Sequence, residues 1–425
     1  MTDHSPSDLV VSRAQVPWRK WVEPWYFSYA LLGVMLAGLA PILLPLAISR
    51  SGSPAEVGLV MAAFNLGGLA APLWGGLADR YRLHRLLLIA GLLLAAAGMA
   101  LFAFSQSASA WLVLAVIQGV GVAAASTVAN LFIVEQHDRA EWDVRIGWLQ
   151  TFYGSGQVIG LLAAGILSRS NLRVGLLVAA GVAALAAVLG WLTTHTPPKQ
   201  LEPRPVLLHP VQHGEWAINS PQRLYHLINL KGLKQFGTVR RSSFGLFTLL
   251  WFISFAGAAG VFSLFPIWME KVYAVNTTVS STGFALAAGL GLALYSPSGS
   301  WTRRFGAGPV LRAGLGVRLL AFLGLLVLGI SGLALGWLAL VLFMLIVVAW
   351  SPITVSGTDW AARLSTIGEG EGLGIFNAST AVAGVAGSVL GGWAAGQWGY
   401  PAVSVLGAAG VVIGLVLSTR MPKTD

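Results

Sequence analysis

Residues 86–134 read LLLIAGLLLAAAGMALFAFSQSASAWLVLAVIQGVGVAAASTVANLFIV, without one Asp, Glu, Lys or Arg. A helix needs about 20 mostly apolar residues to cross a hydrocarbon layer about 30 Å thick, at 1.5 Å of rise per residue. This run is long enough for two crossings, and Ser105-Gln106-Ser107-Ala108-Ser109 supplies a polar turn between them. Lipid is the solvent that such a segment requires.

Further uncharged stretches lie at 24–49, 57–78, 146–168, 174–198, 242–269, 272–302, 319–358 and 372–419. Ser331-Gly332 divides the run 319–358, and Gln397-Trp398-Gly399-Tyr400-Pro401 divides 372–419. The expected spans are near 25–49, 55–78, 85–104, 109–134, 146–168, 173–194, 243–269, 278–301, 309–330, 333–357, 372–396 and 400–419. The fold class is therefore an all-α membrane protein with twelve transmembrane helices in two six-helix pseudo-symmetric halves. The expected organisation is a cytoplasmic N-terminal segment 1–24, a first half 25–194, a cytoplasmic linker 195–242, a second half 243–419 and a tail 420–425. Pro197, Pro198, Pro203, Pro205, Pro210 and Pro221 mark the linker. Within it, 222–234 (QRLYHLINLKGLK) reads either as an interfacial amphipathic helix or as a partly ordered basic stretch.

Composition agrees with this reading. Of 425 residues, 56% are hydrophobic and 10% charged, against about 25% charged in soluble chains. Glycine, at 52 residues, is common where membrane helices approach closely. The absence of cysteine excludes disulfides, thiol catalysis and thiolate metal sites. The net charge of +10 fits basic loops on one membrane face, and no nucleic-acid motif accompanies it. The first 24 residues contain Asp3, Asp8, Arg13, Arg19, Lys20 and Glu23 around no apolar core, so they do not read as a secretory signal.

With the N-terminus inside, inner loops hold Arg80, Arg82, Arg85, Arg139, Arg145, Arg303, Arg304 and Arg363, and the linker adds seven more basic residues. Outer loops hold Arg50, Arg169, Arg173 and Lys271. Both termini are expected in the cytoplasm, with the chain in the cell (inner, cytoplasmic) membrane. An enzyme is not expected: there is no nucleophile–histidine pairing, no metal cluster and no phosphate-cradling loop. His195, His209, His213 and His226 have no metal-ligand spacing. Neither cofactor nor metal is expected.

The halves repeat. Gly75-Gly76-Leu77-Ala78-Asp79-Arg80-Tyr81-Arg82 follows span two, and Gly299-Ser300-Trp301-Thr302-Arg303-Arg304-Phe305-Gly306 follows span eight. Gly147-Trp148-Leu149-Gln150 opens span five as Gly374-Ile375-Phe376-Asn377 opens span eleven, at nearly the same offset. Here the chain resembles the major facilitator superfamily. The most specific piece is GGLADRYRLHR, 75–85, in which Gly75, Asp79, Arg80 and Arg85 match the family's loop 2–3 motif, while Arg82 replaces its second glycine. Gln118-Gly119-Val120-Gly121-Val122-Ala123 is similar to the span-four motif, with Ala115 at the place of its arginine. Span five lacks the antiporter glycine-proline pair, carrying Gly154-Ser155-Gly156 instead. These departures weaken the likeness to proton-coupled antiporters.

The resemblance implies a gate. Asp79 would face the start of span eleven near Gly370–Gly374, as a latch closing the cytoplasmic side. Arg80 or Arg82 would pair with Glu135, and Gly75 and Arg85 would complete the motif. The family architecture also puts spans one, four, seven and ten around a cavity, together with parts of two, five, eight and eleven. This implies Tyr29, Asn65, Gln118, Asn130, Tyr153, Gln157, Trp251, Phe255, Trp350 and Asn377 as cavity residues, beside Gln150, Thr354 and Thr380. A helix–helix hydrogen bond or plain packing is the competing role for each. The small-residue stripes Gly67-Ala71-Gly75, Gly156-Gly160-Ala164 and Gly384-Ser388-Gly392 read equally as sliding surfaces between halves or as static packing.

No Asp or Glu lies near the middle of any span, and Arg318 is placed to snorkel toward an interface. A neutral or lipophilic small-molecule substrate is expected, and an anionic one is not. The leading expectation is a monomeric secondary transporter exporting hydrophobic or neutral small molecules by alternating access, with proton coupling left open. An importer of sugars or other neutral metabolites is the alternative, and a non-transporting receptor on the same scaffold is a third.

Overall fold

The structure, a computed structural model, describes residues 20–81, 83–138, 141–169, 171–194, 242–333, 335–365 and 369–421. Among the described residues the chain is helical and contains no strand. Eleven helices are long and apolar enough to cross a membrane. In the first half these are α1 (Tyr26–Ser49), α2 (Pro54–Ala78), α3 (His84–Phe102), α4 (Ala108–Val134) and α6 (Leu172–Thr193). In the second they are α7 (Ser243–Tyr273), α8 (Thr277–Phe305), α9 (Ala307–Ser331), α10 (Gly336–Leu364), α11 (Gly372–Trp398) and α12 (Pro401–Thr419). The helix between α4 and α6 is α5 (Trp142–Leu167), 26 residues long. It completes the expected twelve and carries Gln150, Tyr153, Ser155 and Gln157 around its middle. The linker and its segment 222–234 lie outside the described residues.

Local sequence sets where the helices start and bend. Ser53 caps α2 in a reciprocal box with Glu56, satisfying two backbone donors that a helix start leaves free. Asn171, Ser242 and Asn276 cap α6, α7 and α8. α2 breaks at Leu69–Ala70, where Pro72 has no N–H to give Gly68, and α10 breaks at Ala349, where Pro352 has none for Val348. α1 contains a π-helical turn, Val34–Leu39, immediately before Pro41.

Glycine lets backbones touch inside each half. Gly33 and Gly38 of α1 lie against Tyr153 and Gly160 of α5, with no room for a Cβ. Gly260 of α7 meets Gly391 of α11, and Gly387 meets Ala256, in the same relation. Of the three small-residue stripes, Gly156-Gly160-Ala164 thus packs within the first half, and Gly67 packs on α4. Gly384-Ser388-Gly392 alone faces the other half. There Gly58 of α2 abuts Gly392 and the Ser388 carbonyl.

We call the face that holds residue 20, the end of α6, the start of α7 and residue 421 the terminal face, and its opposite the distal face. On the terminal face Arg145 donates to Glu23 at 3.0 Å and to Glu141 at 2.9 Å, and His137 also contacts Glu23. Contacts between halves run from the distal face to mid-helix. Thr278 donates to the Gly165 carbonyl at 2.6 Å, Arg169 donates to Thr278 at 2.6 Å, and Val158 approaches Gly289. The innermost are Asn65–Ser388 and Gly154–Leu292. Toward the terminal face the last part of α2, Ala71–Tyr81, packs on α3 and α4 of its own half. The cleft between them is sealed distally and opens on the terminal face.

Candidate solute site between the halves

The wall contributed by the first half is made of hydrogen-bonding groups. Gln150 and Gln157 are seven residues apart on α5, so they share a face. That face lies between Gly156 and Gly160, which touch α1, and Gly154 and Val158, which approach α8. The opposite face carries the exposed Ile159 and Ile166 toward lipid. Tyr153 stands 5.2 Å from Tyr29 of α1, ring centre to ring centre. The Tyr29 hydroxyl lies near the amides of Gln150 and of Asn130 on α4. Asn130 anchors itself by donating to the Ser126 carbonyl at 2.9 Å, leaving its carbonyl oxygen unpaired. Four of the expected polar residues, Tyr29, Asn130, Gln150 and Tyr153, therefore gather where α1, α4 and α5 meet.

The wall contributed by the second half is aromatic. Trp251 of α7 lies 4.4 Å from Phe376 of α11 and 5.9 Å from Phe255. Phe255 meets Trp350 of α10 edge-on at 5.0 Å. The Trp251 indole donates to Thr380 at 2.7 Å, which fixes its ring plane. Gly357 is the reason this indole fits, since a Cβ there would collide with the six-membered ring. Asn377 is half-buried beside Phe376 on α11, as is Thr354 on α10.

Other expected residues are placed differently. Asn65 donates to Ser388 at 3.3 Å, and Ser388 is 2.7 Å from Ser263 of α7, so Asn65 belongs to the seam between halves. Gln118 is 2% exposed and packs on Gly98 of α3, inside the first half and away from the cleft. Gly75 is buried near the end of α2, and Arg85 donates to the Trp191 carbonyl at 2.6 Å, closing the last turn of α6. The side chains of Asp79, Arg80 and Glu135, and the whole of Arg82, lie outside the described residues.

Arg318 corrects the sequence reading. It does not snorkel: at 1% exposure it is enclosed between α7, α9 and α10, its guanidinium 5.4 Å from the centre of the Trp350 ring. Position along a helix was legible, but the rotation of α9 against its neighbours was not. A basic residue thus stands in the core behind the aromatic wall, and the ground for setting anions aside is removed. Phe376, Gly357 and Ser263 were also missed. The regular spacing of Trp251 and Phe255 could have pointed to an aromatic face on α7.

The Major Facilitator Superfamily model matches residues 25–367. The chain belongs to the major facilitator superfamily. Solved structures of the same fold include a mutant of the nucleoside transporter NupG, with TM-score 0.75 and 13% identity over 94% of this chain and 99% of that one. A bacterial homolog of the human lysosomal transporter Spinster, inward-facing and occupied, gives TM-score 0.66 at 16% identity, covering 96% and 98%. A D-xylose–proton symporter gives 0.66 at 16% identity, covering 92% and 95%. No curated protein matches the sequence. The superfamily fold accounts for the twelve helices, the two halves and the cleft between them. The protein is a multi-pass membrane protein of a transporter family.

Proposed function

We propose that this major facilitator superfamily chain is a secondary transporter that exports a neutral, amphipathic small molecule by alternating access. The observation that carries this reading is a pair of unlike side-chain clusters, one in each half. Tyr29, Asn130, Gln150 and Tyr153 offer hydroxyl and amide groups, and Trp251, Phe255, Trp350 and Phe376 offer ring faces. A solute with one hydrogen-bonding edge and one flat apolar face satisfies both, whereas a fully polar solute leaves the aromatic wall unused. The Lys and Arg asymmetry supports a cytoplasmic terminal face, so the open cleft is the inward-facing state of a monomer in the cell membrane. Carboxylates are absent from the middle of every span, which favours uncoupled movement or coupling through peripheral acids.

Uptake is the second reading, and the hydroxyl-matching cluster around Tyr29 favours it. Similar folds include a nucleoside transporter and a D-xylose–proton symporter. Flux into and out of proteoliposomes, measured for amphipathic aromatics, sugars and nucleosides with and without a pH gradient, separates the readings. Export of amphipathic solutes supports the first. Preferential uptake of sugars or nucleosides replaces it with the second, and no flux from the whole panel leaves a receptor.

A further inference from the structure

Arg318 is a charge without a counter-charge. Its guanidinium cannot lose its proton in a protein, and it is 1% exposed in the middle of α9. Its one hydrogen bond among the described residues is a long one, Nη2 to the Ile346 carbonyl at 3.5 Å. Nε has no partner, and none of the described salt bridges includes Arg318. The Trp350 ring face 5.4 Å away gives partial compensation through its quadrupole. A buried cation left with so little is strongly disfavoured unless something else neutralises it.

The structure offers the space for that neutralisation. A small void adjoins Arg318, bounded by Leu311 and Leu315 of α9, Ile353 of α10, and Trp251, Ser254 and Phe255 of α7. The Ser254 hydroxyl is already given to the Gly410 carbonyl and the Trp251 indole to Thr380, so a neutral polar guest would find few partners there, while an anion would find the N–H donors of Arg318. The free space is about that of one water molecule, so a monatomic anion suits it best and a carboxylate enters only by pushing the leucine ends aside.

We infer that this void, with Arg318 as its donor, is a binding site for a small monovalent anion, behind the aromatic wall of the solute site. The ligand chemistry is that of a halide or a minimal carboxylate. A carboxylate could arrive either as a free ion or as the acidic end of a solute. The site does not depend on the proposed transport activity, and it can be read by binding alone.

The test uses the purified full chain in detergent, with melting followed in sodium chloride, bromide, formate or gluconate at equal ionic strength. The expected result is a saturable rise of several degrees in the small anions over gluconate, absent from Arg318→Met and weakened in Arg318→Lys. A response to halides alone assigns an inorganic ion, and a response to formate alone assigns a carboxylate subsite. Equal melting curves in all four salts, or a rise that persists in Arg318→Met, overturns the inference. Should Arg318→Met fail to fold, crystals of the unaltered chain in bromide decide. An anomalous peak in contact with the guanidinium supports the site, and its absence at saturating bromide overturns it.

Discussion

Asn65 of α2 donates to the Ser388 hydroxyl of α11 across 3.3 Å, joining the two halves near mid-helix. Ser388 also contacts Ser263 of α7 at 2.7 Å and donates to the Gly384 carbonyl at 2.8 Å. The distal seal thus ends in a polar junction at mid-helix. Losing one such bond costs about 0.5–1.5 kcal/mol, about 2- to 12-fold in an equilibrium. Asn65→Ala is expected to raise the distally open population by that factor. The chain has no cysteine, so spin labels at single cysteines replacing Arg50 and Trp398 report the distance directly. An unchanged distance distribution would count against a role for this bond in closure.

Closure also depends on Gly58 and Gly392, whose backbones touch. A leucine at either position must push α2 and α11 apart, because the neighbours it meets are backbone atoms. Gly58→Leu is expected to hold the distal face open and to cut transport at least tenfold while the protein still melts cooperatively. Distal labels that still report the closed distance would refute this.

The aromatic wall predicts a graded series. Trp251→Phe keeps a ring but removes the 2.7 Å bond to Thr380, and is expected to weaken solute binding a few-fold. Trp251→Ala removes the ring, and Gly357→Ala displaces it; each is expected to weaken binding by tenfold or more. Equilibrium binding to the reconstituted protein is the measurement, and equal affinities across the series would show that Trp251 does not face the solute.

On the terminal face, the hydrogen bond from Arg145 holds the Glu141 carboxyl below the usual carboxylate range, with the charges of Arg145, His137 and Lys20 acting the same way. A carboxyl whose pKa is depressed on folding stabilises the fold fully above the unfolded pKa of about 4.3 and loses that stability as pH falls toward the folded value. Melting temperature is therefore expected to be flat from neutral pH to about 5 and to fall below that, with a smaller fall in Glu141→Gln. A Glu141→Gln protein with the same acid limb as the wild type would exclude this group as a source.

The proposed latch makes a kinetic prediction. If Asp79 closes the terminal face against the start of α11, a cleft open on that face is the state in which the latch is released. A carboxylate at a helix N-terminus contributes about 0.3–1 kcal/mol, up to about 2 when partly buried. Asp79→Asn is expected to slow transport several-fold while expression and melting stay unchanged. Undiminished flux would dismiss the latch.

The sequence revealed what depends on local composition. The lengths of apolar runs gave the membrane helices, while the bends at Leu69–Ala70 and Ala349 went unread although Pro72 and Pro352 stand beside them. Rotation about a helix axis was hidden, because it is decided by neighbours far away in the chain. Gln118 turns to Gly98 and Arg318 turns inward for that reason. The small-residue stripes carried no label either: Gly156-Gly160-Ala164 and Gly384-Ser388-Gly392 look alike as letters, yet one packs within a half and the other between halves. Tyr29, Asn130 and Tyr153 could be chosen as polar groups in apolar spans, but their convergence is tertiary.

The π turn at Val34–Leu39 gives α1 two helical phases. In an uninterrupted α-helix, Gly33 and Gly38 would point about 140° apart, yet both press on α5. The extra residue absorbed by the turn resets the phase between the segment that presents Tyr29 and the segment that buries Ile42, Leu43 and Ile48. Deleting one residue within the turn would rotate the distal segment by about 100° relative to Tyr29. Those three side chains would swing away from the protein interior, and the seal on that side would lose its footing while the solute-facing residues stayed where they are.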